Sequence, residues 1–579
     1  MNKKCKNCGI DFEITEDDLK FYDKVSSVIK GKKYALPSPT HCPDCRLMRR
    51  LSFRNEKNLY KRKCDLCDKN GIFVFSENVK FPVYCVECFW SDKWDPLSFG
   101  SDYDFSRSFF EQFKELMDSV PKMGLYQLNN ENSDFNSFLA YSKNVYMSPG
   151  TYFAEDSVYC RKSQYIKDSL NCSLVDNCEL LEGSVNSSHC YSCNSSFNCR
   201  NCSNSSYIAD CIGCTNCFMC SGLNKKNYCV KNKQYSKEEY EKLIKEKLQD
   251  GDEKLMNEFI EFNKTIPKKH QNQLNCENSS GDFIQNCKNA EMCFDAFNVQ
   301  DSKYLVETED VKDSMDLNMH DKNIELCYEM SCGGDSNYMS KFCFVSCLCP
   351  ESEYLFSCFY ANNCFGCDGI HSKVKNCILN KQYSEAEYQD LKAKIIEQML
   401  GAGRAHGASA QVEAESGFAS SSETEPKIEY GEFFPISISP FAYNETVAND
   451  YFPMTKDQVL NNGWKWKDID PKEFSKSLFV LPEKIEDTKD DVLEHVFSCS
   501  DCGKNYKIVS LELNLSRKMK TSLSKKCSDC RQKDLMKFKN PKKLFDRNCS
   551  NCEAKMISVY SQNRLEKVYC EKCYLKEIY

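Results

Sequence analysis

The cysteines between Cys160 and Cys229 are spaced so regularly that they limit the folds open to this chain. Twelve cysteines in this stretch are separated by steps of 12, 6, 12, 3, 6, 3, 9, 3, 3, 3 and 9 residues, and every step is a multiple of three. A longer spacing of 21 residues joins Cys172, Cys193 and Cys214. A strict internal period of this kind predicts a repeat architecture in which equivalent segments stack on one another.

We interpret the repeat as a β-solenoid, similar to a β-helix, with a coil of about 21 residues. Thiols are small and apolar, so columns of cysteines can fill a narrow core, while Asn, Ser and Gly supply the turns. Two other roles stay open for these sulfurs, namely binding of zinc or an iron–sulfur cluster, and disulfide rungs. The densest run, from Cys211 to Cys220, departs from the bacterial ferredoxin spacing, which favours a packed thiol ladder.

The cysteine pattern occurs a second time. Residues 276–377 contain twelve more cysteines, and both modules end in the sequence Asn-Lys-Gln-Tyr-Ser. The serine of that sequence is followed three residues later by glutamate, at Ser236 and Glu239 and again at Ser384 and Glu387. This spacing predicts capping boxes, and we expect the two helices to cover the open ends of the solenoids.

Composition indicates a large, mildly acidic protein made of several folding units. The chain has 579 residues, of which 28% are charged, and a net charge of −8. These values argue against wholesale coating of nucleic acid. No signal peptide core or membrane-spanning run is apparent in the sequence, so we expect a cytoplasmic protein without a membrane partner. The 40 cysteines are then expected to be reduced.

Both ends of the chain carry CxxC pairs, four before residue 90 and four after residue 498. A CxxC turn directs two sulfurs to one point, so two turns supply the tetrahedral thiolate set that zinc prefers. We therefore predict about four zinc ions per chain, with sequential pairing favoured over a cross-braced arrangement that the sequence leaves open. The predicted ligands are Cys5, Cys8, Cys42, Cys45, Cys64, Cys67, Cys85, Cys88, Cys499, Cys502, Cys527, Cys530, Cys549, Cys552, Cys570 and Cys573.

An arginine stripe lies between the N-terminal CxxC pairs. Arg46, Arg50 and Arg54 are spaced by four residues and would share one helix face, with Arg49 as a fourth candidate phosphate contact. A solvated face or intramolecular pairing is the alternative. The last three C-terminal pairs match N-terminal pairs at a constant offset of 485 residues, but the stripe is absent there. Both units therefore share a structural use of zinc.

These features predict a multidomain, mainly β protein with tandem zinc ribbons at both ends and two helix-capped, cysteine-rich β-solenoid modules between them. We expect residues 431–490, which are aromatic and proline-bearing, to wrap and fasten the last domain to the solenoid, or to form a peptide or ligand groove. The predicted regions are a zinc-ribbon unit (1–98), a connecting helix (99–128), solenoid 1 (129–231), capping helices (232–269), solenoid 2 (270–379), a capping helix (380–400), a flexible linker (401–430), the aromatic wrapping segment (431–490) and a second zinc-ribbon unit (491–579).

The N-terminal residues resemble a known family. Cys5-Lys-Asn-Cys8 and Pro39-Thr-His-Cys-Pro-Asp-Cys-Arg46 look like the zinc-ribbon domain of small bacterial proteins. The overall layout resembles long bacterial proteins that combine zinc ribbons with a cysteine-rich solenoid. The resemblance covers residues 1–63 and, more weakly, 495–548, where Ser528-Asp529 replaces part of the ribbon's knuckle. It implies zinc at the matching cysteines and implies no activity.

Three functions are compatible with the sequence. The first is a non-enzymatic zinc-binding scaffold that binds a macromolecular partner, protein or nucleic acid, through solenoid and ribbon surfaces. The second is nucleic-acid binding through the basic helix of the N-terminal unit. The third is a metal store or metalloenzyme that uses the solenoid thiols. The sequence contains no recognisable catalytic constellation, so we expect no enzymatic activity.

Overall fold

The computed structural model describes residues 1–248, 250–320, 322–401, 429–468 and 479–578. Contacts between Cα atoms divide the chain into two units. The first unit comprises residues 1–124, 273–280 and 284–467, and the second comprises residues 125–272, 281–283 and 468–579. The N-terminal CxxC pairs therefore share a unit with the second cysteine-rich stretch, and the C-terminal pairs share a unit with the first. Most of the predicted linker, residues 402–428, lies outside the described residues.

The first cysteine-rich stretch forms an open 11-stranded sheet, which we call the first stack. Its strands pair in parallel in the order of the chain, except for the last pair, which is antiparallel. The strands are Gln127–Leu128, Leu139–Ala140, Lys143–Tyr146, Thr151–Val158, Gln164–Lys167, Asp176–Glu182, Tyr191–Phe197, Ser203–Ala209, Thr215–Ser221, Asn227–Val230 and Lys233–Gln234.

Residues of the first stack pair with residues 12 positions later, a separation that we call the pairing offset. Ile166 pairs with Cys178 and Cys217 with Cys229, and the isolated bridges between the strands keep the same offset. The expected coil of about 21 residues is therefore wrong as a pairing distance. Residues 12 positions apart lie one above the other and form a column. Because 21 is not a multiple of 12, cysteines 21 residues apart belong to different columns.

The triplet register has a backbone cause. Every third residue from Phe138 to Lys231 has a positive φ, for example Asn144 at 52° and Tyr159 at 55°. A left-handed residue turns the chain, which explains the Asn, Gly and Ser content, although larger residues also occupy these positions at a cost of about 1 kcal/mol each. At most of these turns the residue that follows is buried. Cys160, which follows Tyr159, belongs to the buried core of cysteines and small aliphatic residues.

The second stack is a 9-stranded sheet in which the paired strands are parallel. Its common pairing offset is the same as in the first stack, but Met315 pairs with Tyr328, one position further along the chain. The same extra position separates Phe365 from its partner Ile378, and it takes Cys377 out of the triplet register while keeping it buried. The strands are Gln273–Leu274, Gly281–Gln285, Lys288–Glu291, Cys293–Lys312, Met315–His320, Ile324–Glu325, Tyr328–Ser331, Phe344–Cys347 and Phe356–Phe359.

The first unit contains further short strand pairs and seven α-helices among its described residues. The strand pairs are Asn2–Lys4 with Asp11–Glu13, Ser27–Ile29 with Lys32–Tyr34, Tyr60–Lys63 with Asn70–Phe73, Val83–Tyr84 with Lys122–Met123, Ala361–Asn362 with Val374–Lys375, and Cys377–Ile378 with Lys381–Gln382. The helices are Glu16–Lys24, Pro43–Leu51, Val86–Phe89, Phe109–Ser119, Glu385–Met399, Val447–Tyr451 and Lys456–Asn461. Short 3-10 helices span Pro96–Phe99, Ile436–Ile438 and Tyr443–Glu445.

The second unit adds strand pairs and five α-helices to the first stack, counted over its described residues. The strand pairs are Lys268–Lys269 with Val568–Tyr569, Phe497–Ser498 with Asn505–Tyr506, and Phe545–Asn548 with Lys555–Ser558. The helices are Lys237–Lys247, Asp252–Thr265, Ser510–Met519, Ser528–Met536 and Glu571–Ile578, and 3-10 helices span Ile485–Asp487 and Asp490–Glu494. No helix in the described part of the chain has the length and apolarity that crossing a bilayer requires.

Three helix predictions are confirmed. The predicted capping boxes are present at Ser236 and Ser384, where each hydroxyl accepts the backbone N–H of the glutamate three residues later. The connecting helix expected within residues 99–128 spans Phe109–Ser119 and buries Phe109, Phe113, Leu116 and Met117.

The first part of the aromatic segment contacts N-terminal residues of the first unit. Phe434 stacks on Phe113 with ring centroids 5.0 Å apart, and Phe441 stacks on Phe75 at 4.9 Å. Residues 429–467 therefore pack against the N-terminal residues of the first unit. Leu481 and Ile485, later in the segment, belong to the second unit and pack with Phe497 and Ile508, so the expectation that residues 431–490 fasten the last domain stays a prediction.

Candidate metal centres

Four groups of cysteines bring their sulfurs together, and within each group all Sγ atoms lie within 4.8 Å of one another. The grouping is sequential, because each CxxC pair joins the next pair along the chain rather than an interleaved one. The four tetrads are Cys5, Cys8, Cys42 and Cys45; Cys64, Cys67, Cys85 and Cys88; Cys499, Cys502, Cys527 and Cys530; and Cys549, Cys552, Cys570 and Cys573.

The first CxxC pair of every tetrad lies in the turn of a two-stranded antiparallel hairpin. In each turn the residue four positions after the first cysteine has a positive φ: Gly9 at 73°, Asp68 at 56°, Gly503 at 71° and Glu553 at 59°. Its backbone N–H donates to the carbonyl of the first cysteine at 3.0, 3.0, 3.0 and 2.9 Å respectively. This left-handed residue closes the turn and points both sulfurs to the same side. The glycines after two of the pairs are the sequence signal for it.

The second CxxC pair of every tetrad begins a helix. Cys42, Cys85 and Cys527 are the N-cap residues of their helices, and Cys570 directly precedes Glu571–Ile578. The pair therefore spans the first turn, where unpaired backbone N–H groups and the helix dipole favour a negative charge. At Cys42 the Cys45 sulfur and a backbone N–H lower the pKa to about 5, whereas burial raises the pKa of Cys85 and Cys527.

Backbone N–H groups stabilise the thiolate form of the first cysteine in three tetrads. Burial raises the pKa of Cys549, but N–H groups of Cys570, Asn551 and Cys552 lower it to about 6. Backbone N–H groups also lower the pKa of Cys499 to about 6 and that of Cys64 to about 7, although burial raises both. The bonds are direct, since the Cys570 N–H donates to Cys549 Sγ at 3.3 Å.

The donor sets fit a soft or borderline metal ion. Each tetrad offers four sulfurs and no oxygen or nitrogen ligand, and the nearest sulfurs of the two pairs lie 3.6 to 3.9 Å apart. Asn7 adds an outer contact, because its amide donates to Cys45 Sγ at 3.2 Å. All four coordination positions of a tetrahedral ion would be filled by protein, which leaves no open position for a substrate.

Sulfurs of the two stacks have different partners. Cys199 Sγ donates to the carbonyls of Phe197 and Ile208 at 3.3 and 3.7 Å, and the same pair of acceptors, two residues before and nine after, recurs along the stack. Among the described residues, the stack thiols form no group of three or more whose sulfurs all lie within 4.8 Å of one another. All 40 cysteines are free thiols, so the disulfide alternative is not observed.

Arg46 and Arg50 do not face solvent. Only 2% of Arg46 and 1% of Arg50 is exposed. Arg46 Nε donates to Asp316 at 2.9 Å, and Arg50 donates to Asn318 at 2.9 Å and to Glu329 at 3.3 Å. These acceptors lie on strands of the second stack. The two arginines therefore anchor the N-terminal unit to the stack, and their prediction as phosphate contacts is wrong for this conformation.

Arg49 and Arg54 are also buried. Arg49 pairs with Glu432 at 2.7 Å and donates to the carbonyl of Phe433, while Arg54 pairs with Glu56. The alternative of intramolecular pairing therefore describes all four arginines. The helix Pro43–Leu51 presents no phosphate-binding face.

One arginine anchor is repeated in the second unit. Arg531 stands at the position of Arg46 after the same offset that relates the CxxC pairs of the two ends, and it pairs with Glu512 at 2.8 Å. Its guanidinium lies 4.5 Å from the ring centre of Tyr159, on the first stack, as that of Arg46 lies 5.3 Å from Tyr304, on the second. Each terminal unit thus docks on a stack through the arginine that follows a CxxC pair, a role that the sequence reasoning missed.

Comparisons with known proteins add little to this description. No family model matches the chain, and no curated protein matches it. One of the solved structures that match is a protein provisionally named an acetyltransferase, from Desulfovibrio desulfuricans G20, with 11% sequence identity over 45% of this chain and 71% of that one, and a TM-score of 0.09. A similarity at this level identifies neither a fold nor an activity.

Proposed function

We propose that the protein is a non-enzymatic scaffold that binds zinc in its terminal CxxC units and binds a macromolecular partner through its stack and ribbon surfaces. Each stack is then a solenoid whose turn is one pairing offset long, and the terminal units are zinc ribbons like the small bacterial domain that the N-terminal sequence resembles. The observation that carries the proposal is the set of four closed cysteine tetrads.

Zinc is the proposed ion because it accepts tetrahedral thiolate coordination and needs no further ligand. Sixteen sulfurs in four tetrads correspond to about four ions per chain. Free thiols throughout the chain fit a reducing compartment, and we place the protein in the cytoplasm.

Elemental analysis of the purified full-length chain tests the zinc sites. We expect about four zinc ions per chain, and about one fewer when both cysteines of one CxxC pair are changed to serine. Iron in place of zinc, or many more than four ions per chain, would indicate that the stack thiols bind metal and would overturn the proposal.

An exposed row of rings supports partner binding. Tyr141, Phe153 and Tyr165 follow one another at the pairing offset of the first stack, all exposed, with ring centroids 5.0 and 4.7 Å apart. Adjoining exposed aromatic residues are more typical of protein interfaces than of free surface.

Cross-linking mass spectrometry in cells tests this surface. We expect cross-links from lysines near the row to one partner, and their loss when the three rings are changed to serine together. A Glu238→Gln variant on an exposed helix position serves as the control. Cross-links that survive the triple change place the partner elsewhere. Nucleic-acid binding through the arginine stripe is not proposed, because Arg46, Arg49, Arg50 and Arg54 are all buried.

A further inference from the structure

A cavity of about 120 Å³ lies along one corner of the first stack, within the second unit. Asn171, Gly183, Ser195 and Tyr207 line it, and each has a positive φ. They follow one another at the pairing offset and so form one column of turn residues. The hollow exists because glycine and serine stand between the larger side chains of Asn171 and Tyr207.

Two buried oxygens in this cavity lack a hydrogen bond of normal geometry. They are Glu182 Oε2 and Thr521 Oγ1, although the Thr521 hydroxyl lies close enough to the Glu182 carboxyl to lower its pKa. Only 8% of Thr521 is exposed. A buried polar atom without a partner is costly, and its presence in a native cavity indicates a bound water or ion.

The charge of the cavity favours a cation. The carboxylates of Glu182 and Asp252 line it together, and Tyr207 donates to Asp252 at 3.3 Å. Burial raises the pKa of Glu182 to about 7; Thr521 lowers it, Asp252 raises it, and Arg531 and Glu512 act in opposite directions. The residues described as lining the cavity include no lysine, arginine or histidine. Two carboxylates therefore share a space that contains no positive group of the protein.

We propose that this cavity binds a hard divalent cation of the Ca²⁺ and Mg²⁺ class. Carboxylate, amide and hydroxyl oxygens are the ligands that these ions prefer, and Glu182, Asp252 and Thr521 are the residues expected to hold the ion. Amide oxygens of Asn171 and Asn194 can complete the set. This site is independent of the cysteine tetrads, which offer only sulfur.

Terbium luminescence tests the site in the full-length, zinc-loaded chain after dialysis against buffer without other divalent cations. Tb³⁺ is a hard ion with little affinity for thiolates, and excitation of Tyr207 sensitises its emission at short range. We expect saturable emission that is lost when Ca²⁺ or Mg²⁺ displaces Tb³⁺. The ion that displaces Tb³⁺ at the lower concentration is the one that the site binds more tightly.

Two variants locate the emission in the cavity. Glu182→Gln removes one charge, and Gly183→Asn fills the hollow; asparagine tolerates a positive φ, and the Cβ it adds meets nothing closer than Ser195 Oγ at 3.5 Å. We expect both to weaken Tb³⁺ binding about tenfold or more. Glu253→Gln changes the neighbouring carboxylate on the same helix, which does not line the cavity, and is expected to bind as the natural chain does.

Zinc content and far-ultraviolet circular dichroism show whether each variant folds. Absence of saturable emission from the natural chain means that water alone fills the cavity and overturns the proposal. Emission that both Glu182→Gln and Gly183→Asn leave unchanged also overturns it. A folded Gly183→Asn chain that loses the emission while keeping its zinc supports it.

Discussion

Cys202 and Cys549 are both buried thiols, yet their backbone surroundings give them different chemistry. Cys202 Sγ donates to the carbonyls of Arg200 and Cys211, and hydrogen bonding with the Cys190 sulfur, together with burial, raises its pKa. Cys549 Sγ accepts backbone N–H groups, and its pKa falls to about 6. At Cys202 the neighbouring sulfurs and burial favour the thiol form, whereas at Cys549 the backbone N–H groups favour the thiolate that binds a metal.

This contrast predicts that a cysteine-to-serine change lowers the zinc content at one position and leaves it unchanged at the other. Cys202→Ser is expected to keep the full zinc content, because serine already occupies equivalent inward positions: Ser187 donates to carbonyls two residues before and nine residues after it, both at 3.2 Å. Cys549→Ser is expected to lose about one zinc ion. Elemental analysis of both chains checks the prediction, and zinc loss from Cys202→Ser would contradict it.

The raised pKa of Glu182 predicts how the free energy of unfolding depends on pH in the absence of divalent cations. Its folded-state pKa of about 7 lies above the ordinary 4.5, so between these values the folded chain holds more protons than the unfolded one. The free energy of unfolding therefore falls as pH rises through this window. Glu182→Gln is neutral and lacks the fall, so it should be more stable than the natural chain by roughly 1–2 kcal/mol near pH 8 and no more stable near pH 4.5.

Urea midpoints of the two chains, compared at matched pH, measure this difference, and the comparison cancels the titration of all other groups. Equal midpoints at every pH would show that the carboxyl is not perturbed by its burial.

At the scale of elements, each stack ends beside a helix whose start is set by a capping box. Ser384 Oγ accepts the Glu387 N–H, the Glu387 carboxylate accepts the Ser384 N–H, and the helix that follows buries Tyr388, Ile395, Ile396 and Met399. Its apolar face thus covers part of the first unit instead of leaving strand edges exposed.

Ser384→Ala is expected to destabilise this helix by about 1 kcal/mol, because the Glu387 N–H loses its acceptor at the N-terminus. Hydrogen exchange resolved by peptide should show faster exchange over residues 385–399. Ser439→Ala, at a buried serine outside any capping box, is a matched control that should leave exchange in this helix unchanged.

At the scale of the whole molecule, each terminal unit docks on the stack that lies farther from it along the chain. The N-terminal unit docks on the second stack through Arg46 and Asp316, and the C-terminal residues dock on the first stack through Arg531 and Tyr159. Breaking a buried pair from one side costs about 3–5 kcal/mol, because the other charge stays buried without compensation.

Arg46→Ala should therefore loosen one stack and leave the other intact. We expect faster hydrogen exchange in strands Met315–His320 and Tyr328–Ser331, and unchanged exchange in the first stack. Arg531→Ala should have the opposite pattern, with faster exchange around Tyr159. Arg107→Ala removes an exposed ion pair with Glu115 and serves as the control for both. Equal loosening of both stacks by one substitution would contradict the observed pairing.

The sequence by itself determined the local features of this protein. CxxC spacing located the sixteen sulfurs of the tetrads, the triplet register located the inward thiols, and Ser-x-x-Glu located the capping boxes. These features depend on residues close together in the chain, where backbone geometry leaves few choices.

Only the tertiary structure decided the pairing offset, the burial of the four arginines and the contacts of the aromatic segment. It also decided that the N-terminal unit docks on the second stack and the C-terminal unit on the first. A spacing of three fits coils of several lengths, because the hydrogen bonds between coils, and not the spacing within them, set the length. Arg46 has the same local sequence whether it meets a phosphate or Asp316, since the carboxylate that neutralises it lies 270 residues away.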